Sequence, residues 1–553
     1  MKKSAIATWK DWFRRIPFSV LLIIFLSGLL AISGIGERIF WADEVHLVNL
    51  GRSILIHGIP VVDDVVKQRE VVYEFEDSTG ISYSPTVPYA VNINGNELYS
   101  LHPWLVSYIA AVPIAIFGPF AQGWTRLPFV LIGILGILVT FLLANRLVNE
   151  RTGIIASLLT GFSVVFLLAL RNVNYYGLVL FAVPFSVLGF MRLLKNEQHA
   201  GAHFTIAASI VFHSQWLTFL GMMLGLYGYI LFVERIKWQR FVLPTLGIIL
   251  LTLPWFILTK QYAKVTVLNG ISSTLLFGMI GIYQVLIWLI PLVILVCIPF
   301  LIKKEKGLWL LLFVVAGTIF INSLNSYTGA PLRYFYGVLP ICSILSGAVL
   351  EKVMNKSKIT AAVLISLLLL TNAISVVPLL PLKSIALHLS ESDIRDTSKE
   401  ERAQFIEKTL QLRFLFVEYI QEMFVPVRSV TRGILDVLEK EDGGITVCTS
   451  CKVGAQYGNL VGNMFVGAGD PAALAYYSRL NVSTYANNYK TRTFDWIVLT
   501  PDDERNKEMF ERGFTKVASV DLSAARWGDT ADPTHHLFAT TPDAGAIVYH
   551  TKS

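Results

Sequence analysis

Apolar stretches of about twenty residues follow one another along the first 380 positions, separated by short polar loops. That is the length a helix needs to cross a bilayer. The stretches lie near 17–36, 125–144, 153–170, 177–192, 203–214, 215–233, 241–258, 275–300, 308–324, 334–350 and 359–380, the long 203–233 run being split at "HSQW". They predict a mainly α, polytopic membrane protein of about eleven transmembrane helices. The first stretch is too long for a signal-peptide core and no small-residue cleavage site follows, so a retained first span is expected. "HPWLVSYIAAVPIAIFGP" (102–119) is apolar but short, and reads as a helix lying along the membrane surface. Beyond the last stretch the pattern changes. "ITVCTS", "DWIVLT", "FTKVASVDL" and "AIVYHT" read as short strands, with "NKEMFERG" as a helix between two of them. The expected organisation is a transmembrane domain over 1–380, with a long first external loop at 37–124, and a small extracytoplasmic α/β domain over 381–553.

Composition supports this reading and charge orients it. Of 553 residues, 54% are hydrophobic and 15% charged, well below the roughly 25% charged residues of soluble chains. The formal charge of +7 is spread over short loops, which argues against nucleic acid. Arg146 and Arg151, Arg192 and Lys195, Arg235, Lys237 and Arg240, Lys303, Lys304 and Lys306, and Lys352, Lys356 and Lys358 fall in alternate loops. The opposite loops hold only Arg171, Lys260, Lys264 and Arg333. The positive-inside rule puts the first set and the Lys- and Arg-bearing N-terminus in the cytoplasm, and the C-terminal domain outside. The surface reading of 102–119 gives this bias, and a spanning reading inverts it. Cys448 and Cys451 form a CxxC, short of the four ligands of a structural zinc site. A disulfide outside the cytoplasm or a free pair both fit.

Candidate chemistry gathers on the external face. "WADEVHLVNLGRSILIHG" follows the first span. His46, Asn49, Ser53 and His57 fall on one helical face and Leu47, Leu50 and Ile54 on another, which predicts an amphipathic interfacial helix with Asp43 at its start. Asp43 either caps that helix or belongs to a site. "LHPW" (101–104), "RNVNYY" (171–176) and "NSYTGAPLRYFYG" (325–337) share this face. Arg171 and Arg333 beside tyrosines fit an aromatic belt or a phosphate site. A glycosyl donor outside the cytoplasm must ride on a lipid phosphate. A carboxylate would deprotonate the acceptor and arginines would hold the departing phosphate.

In order and spacing, "WADE" after the first span, "HP" before an apolar helix, "GWTRLPFVLIGILGILVTFLLANRL", "RNVNYYGLVLFAVPFSVLGFMRLLK" and "PLRYFYGVLPICSIL" resemble the GT-C glycosyltransferases. The similarity is to the bacterial protein O-mannosyltransferase and aminoarabinose (lipid A) transferase group, over about residues 15–350. It implies a bacterial inner-membrane enzyme that moves a sugar from a polyprenyl phosphate to an extracytoplasmic lipid, glycan or protein, with inversion. It implies Asp43 as the catalytic base, supported by Glu44. It implies His102, Arg171, Tyr175, Arg333 and Tyr334 at the donor phosphate and lipid. Relatives carry an acid where this chain has Leu101, with Asp63 and Asp64 as possible substitutes. Some GT-C enzymes use a divalent metal ion, for which Asp43, Glu44, His46 and His57 are the candidate ligands. Two other functions stay open: a transporter or flippase of a lipid-linked sugar, and a non-catalytic envelope assembly protein. Scarcity of ionisable residues within the spans argues against the transporter.

Overall fold

The structure is a computed structural model that describes residues 16–62, 75–76, 82–83, 90–93, 96–100, 102–234, 239–260, 271–302, 305–324, 332–382, 410–424, 430–441, 463–466, 473–474, 477, 481–483, 495–501, 503–509, 511–521 and 545–551. Leu101, Asp63, Asp64, the CxxC at 448–451 and the expected strand "ITVCTS" lie outside the described residues.

Every predicted apolar stretch is a helix or a bent pair of helices. In chain order these are α1 (Phe18–Ile32), α4 (Gln122–Leu147), α5 (Glu150–Gly161) with α6 (Val164–Leu170), α7 (Tyr176–Leu194), α8 (Ala200–Ser214), α9 (Trp216–Tyr229), α10 (Gln239–Leu258), α11 (Ile271–Trp288) with α12 (Leu292–Ile302), α13 (Lys306–Ser323), α14 (Leu339–Lys356) and α15 (Lys358–Leu370) with the short α16 (Ala373–Val376). Between α1 and α4 stand α2 (Ala42–His57) and α3 (Leu105–Phe117).

The span count differs from the expected eleven. Among the described residues six helices are long and apolar enough to cross a bilayer, or nine if each bent pair is one span. The bends are sharp: 60° between α5 and α6, 91° between α11 and α12, and 93° after α15. Pro291 stands at the second bend, where it cannot donate a backbone hydrogen bond and disfavours helix in the residue before it. Helices α1 and α8 have 15 residues each. At 1.5 Å per residue they reach only about 22 Å, short of a ~30 Å hydrocarbon core. The split of the 203–233 run is real, and Gln215 makes it. Its backbone is extended, and its side chain accepts from Thr218 N to cap α9.

Small residues let the helices touch. A Cβ on Gly225 of α9 would sit 2.4 Å from the Phe313 carbonyl oxygen of α13, and Gly221 lies as close to Thr318. These two helices approach backbone to backbone, as small-residue pairs permit in membranes.

The structure covers most of the expected polar face of α2: Asn49 and Ser53 are buried, Ser53 Oγ donates to Val61 O, and His46 packs at a tilt against Tyr99, while His57 stays exposed. Helix α3 lies against the Gly51 side, where Gly51 meets the backbone of Ser107 and Ala111. The hairpin β3 (Ala90–Ile93) with β4 (Asn96–Tyr99), antiparallel, follows the shorter pair β1 (Phe75–Glu76) and β2 (Ser82–Tyr83). Packing from α3 and β4 thus buries the first part of α2, while its last turn, with Leu55, Ile56 and His57, stays exposed.

In the C-terminal region the strands β5 (Asn463–Val466), β6 (Asn481–Ser483), β7 (Trp496–Leu499), β8 (Phe514–Asp521) and β9 (Gly545–Thr551) form one sheet in the order β6-β5-β7-β9-β8. The β5 pairs with β6 and β7 are parallel, and the β9 pairs with β7 and β8 are antiparallel. Strand β7 is buried throughout, as a continuous apolar run in a central strand should be. Helices α17 (Leu415–Phe424) and α18 (Val430–Glu441) precede the sheet. Over the expected helix "NKEMFERG" (506–513) the described residues form turns instead, following a 3-10 turn at Glu504–Lys507. Asp503 caps Arg505 N, Asn506 Nδ2 reaches back to Thr500 O, and Gly513 at φ 80° closes the segment. These side-chain to backbone bonds compete with a helix.

Candidate active site

Helix α2 begins at Ala42, with Trp41 in the extended N-cap position. Asp43 and Glu44 therefore sit inside its first turn, where the free N–H groups favour negative charge. Asp43 does not cap the helix. Glu44 does the reaching back: its Oε2 accepts from Trp41 N at 3.3 Å. Successive residues project about 100° apart, so the two carboxylates enter different surroundings.

Glu44 points inward and is 0% exposed. Its Oε1 accepts from Arg126 Nε at 2.8 Å and from Val173 N at 2.8 Å, and its Oε2 accepts from Arg126 Nη2 at 2.6 Å. Arg126, on α4, is 1% exposed. Its remaining N–H groups donate to Ile35 O, Arg38 O and Ile39 O. All five guanidinium donors are thus used, and all four carboxylate acceptor positions are filled. This pair ties three segments together: the 35–41 turn, the start of α4 and the 171–175 loop. Trp41 adds a bond from Nε1 to Asn172 Oδ1 at 2.9 Å. The sequence reading missed Arg126. An arginine in the second turn of a 26-residue, largely apolar helix was the available signal, since such a charge needs a partner.

Asp43 points outward. Its Oδ2 accepts from Arg333 Nη1 at 2.8 Å, the two side chains being 42% and 26% exposed. Arg333 also lies over the Tyr334 ring, 5.7 Å from its centroid, within cation–π range. It stands on the 3-10 turn Leu332–Val338 that leads into α14. Tyr175 packs edge-on against Tyr176, and Tyr176 against Tyr336. Among the described residues the Tyr175 hydroxyl is buried with no hydrogen-bond partner. Burial, with Tyr334 nearby, pushes it well above its ordinary pKa, so it remains an O–H donor. His102 lies 6.0 Å from Tyr175, ring to ring. The close docking of α7 on α4 sets these tyrosines: a Cβ on Gly177 would lie 2.5 Å from Phe129 O.

Asp43, Arg333, Tyr334, Tyr175 and His102 therefore form one neighbourhood. Arg171 is turned elsewhere. It lies over the Tyr419 ring at 5.7 Å, and Tyr419 in turn donates to Leu30 O. The candidate metal set does not assemble. Among the described residues no three His, Cys, Asp or Glu side chains are grouped to hold an ion. Glu44 is saturated by Arg126 and backbone N–H groups, His46 packs at a tilt against Tyr99, and His57 lies at the far end of α2, about 20 Å along the helix from Asp43.

The C-terminal region reaches this same face. The Tyr477 hydroxyl accepts from Phe40 N at 3.0 Å and from Gln122 Nε2 at 2.9 Å. Burial pushes its pKa up to about 12. Arg38, in the 35–41 turn, is lowered to about 9 by burial and by the neighbouring Arg171 and Arg126.

Residues 101–259 match the family described as dolichyl-phosphate-mannose-protein mannosyltransferase. No curated protein matches the chain by sequence. Among solved structures, ArnT from Cupriavidus metallidurans superposes with a TM-score of 0.55 at 12% identity, over 96% of this chain and 97% of that one. The same protein bound to undecaprenyl phosphate matches equally, with a TM-score of 0.55 at 12% identity and the same coverage. The archaeal oligosaccharyltransferase AglB from Archaeoglobus fulgidus, in complex with an inhibitory peptide and a dolichol phosphate, gives 0.42 at 11% identity over 88% of this chain and 70% of that one. The chain is a multi-pass membrane protein with the GT-C fold, similar to ArnT.

Proposed function

We propose that this chain is a membrane glycosyltransferase that moves a sugar from a polyprenyl phosphate to an acceptor hydroxyl or amine on the face bearing Asp43. The observation that carries the proposal is the half-exposed Asp43 carboxylate held 2.8 Å from Arg333, with the buried Tyr175 donor beside them. The mannosyltransferase family match and the fold shared with ArnT, which is seen with undecaprenyl phosphate, support a lipid-phosphate donor by analogy. The acceptor is an extracytoplasmic lipid, glycan or protein, and the chain sits in a bacterial inner membrane with its N-terminus in the cytoplasm. That orientation rests on the loop charges.

In this mechanism the arriving donor phosphate competes with Asp43 for Arg333. The donor's phosphodiester monoanion offers the guanidinium two oxygens, a bidentate partner that a single carboxylate oxygen does not, and its charge grows toward a dianion as the polyprenyl phosphate leaves. The released Asp43 carboxylate then takes the proton of the acceptor as its oxygen or nitrogen attacks the anomeric carbon. The anomeric C–O bond breaks, and its electron pair leaves on the polyprenyl phosphate, which Arg333 and the Tyr175 O–H stabilise. One displacement inverts the anomeric centre. Glu44 holds α2 at the correct height, and Arg171 braces the loop against Tyr419.

The test is transfer of labelled sugar from a synthetic polyprenyl phosphate in membranes carrying Asp43→Asn. The expected loss is about 10²–10⁴-fold, the range for a removed general base. Activity equal to wild type would remove the role assigned to Asp43.

A further inference from the structure

The far ends of α4, α7 and α8 enclose a cavity of about 800 Å³. Arg146 is 20 residues beyond Arg126 on the same helix, about 30 Å away, or one hydrocarbon thickness. The cavity therefore opens on the face opposite Asp43 and is separate from the candidate active site. Leu138, Leu142, Phe185 and Leu188 form apolar walls, and Ile206, more than half exposed, lies at the lipid side.

One end of this cavity is charged. Arg146 and Arg192 both pair with Glu197. Arg192 also meets His203 Nδ1 at 3.1 Å and donates to Gln198 O at 3.3 Å. Two guanidinium groups face one carboxylate, so a net positive charge remains at the rim. Arg146 and Arg192 lie in the last turns of α4 and α7, where the negative ends of the helix dipoles favour cations. Arg146 Nε is buried with no hydrogen-bond partner among the described residues. A buried donor left unmade is costly, and an anionic oxygen at the rim would satisfy it.

We propose that this cavity binds an anionic phospholipid of the opposite leaflet, with its phosphate at Arg146 and Arg192 and an acyl chain between Leu138 and Phe185. The volume lies in the range of ordinary ligand pockets, and basic pockets between transmembrane helices suit such headgroups. An apolar slot with a cationic end fits an amphiphile of this charge and rejects both a soluble anion and a neutral lipid. Its occupancy would brace the same two helices that carry Arg126 and Tyr176 at their other ends.

The full-length protein in mixed nanodiscs is photolabelled with phosphatidylglycerol bearing a diazirine in its acyl chain. Labelling is expected within 138–142 and 185–188, competed at least tenfold better by unlabelled phosphatidylglycerol than by phosphatidylcholine. The double variant Arg146→Gln with Arg192→Gln should lose that preference, and the double lysine variant should keep it. Should the glutamine variant not fold, the wild-type competition decides. Labelling elsewhere, equal competition by the two lipids, or an unchanged preference in the folded glutamine variant would overturn the proposal.

Discussion

Replacing Arg126 by methionine removes a cation from a site closed to the surface, where Arg126 and Glu44 are 1% and 0% exposed. Glu44 loses two of its four hydrogen bonds, and the Ile35, Arg38 and Ile39 carbonyls lose theirs. Both side chains are buried, and truncating one partner of a buried pair costs about 3–5 kcal/mol because the other charge is left uncompensated. Large membrane proteins unfold irreversibly, so the readout is a half-life at fixed temperature in detergent. A loss of ~4 kcal/mol felt mainly by the native state shortens that half-life roughly 10³-fold. Pairing Glu44→Leu with Arg126→Met should recover part of this, since no lone charge remains. Coupling of about 0.5–3 kcal/mol is expected for residues in one network. Arg126→Lys should not rescue, because an ammonium cannot serve five donors in one plane. If Arg126→Met is as long-lived and as active as wild type, or if the two changes simply add, the pair is not the brace described here.

Arg333→Ala should free Asp43 yet weaken donor binding, raising the apparent KM for a polyprenyl-phosphate sugar about tenfold or more. A KM unchanged from wild type would count against the phosphate role. Gly177→Ala places a Cβ 2.5 Å from Phe129 O and should destabilise by about 1–3 kcal/mol, as overpacking does, with activity falling in parallel. Wild-type thermal half-life would refute the close docking of α7. The Tyr477 pKa, raised by burial to about 12 from an ordinary value of 10.0, makes its docking fully stable below pH 10 and progressively weaker as pH rises toward 12. Hydrogen exchange at 38–41 should show that window in wild type and lose it in Tyr477→Phe.

Asp43 and Arg333 stand 290 residues apart in sequence, yet each was legible as a polar residue at the end of an apolar stretch on one face. Periodicity determined the helices and set these residues at their ends, because a bilayer imposes length and polarity on every segment that crosses it. Several things only the tertiary structure decided. The divergence of Asp43 and Glu44 depends on what lies over each side of α2, and that is α4 and the 35–41 turn, not local pattern. Helix α2 has amphipathic spacing, but Tyr99 of β4 and helix α3 cover His46 and the Gly51 side, leaving its last turn exposed. Arg126 was hidden among apolar neighbours, since one charge barely alters a long hydrophobic window. Bends of 60–93° escaped notice as well: hydropathy measures how apolar a stretch is, while direction depends on proline, capping and the neighbours it packs against.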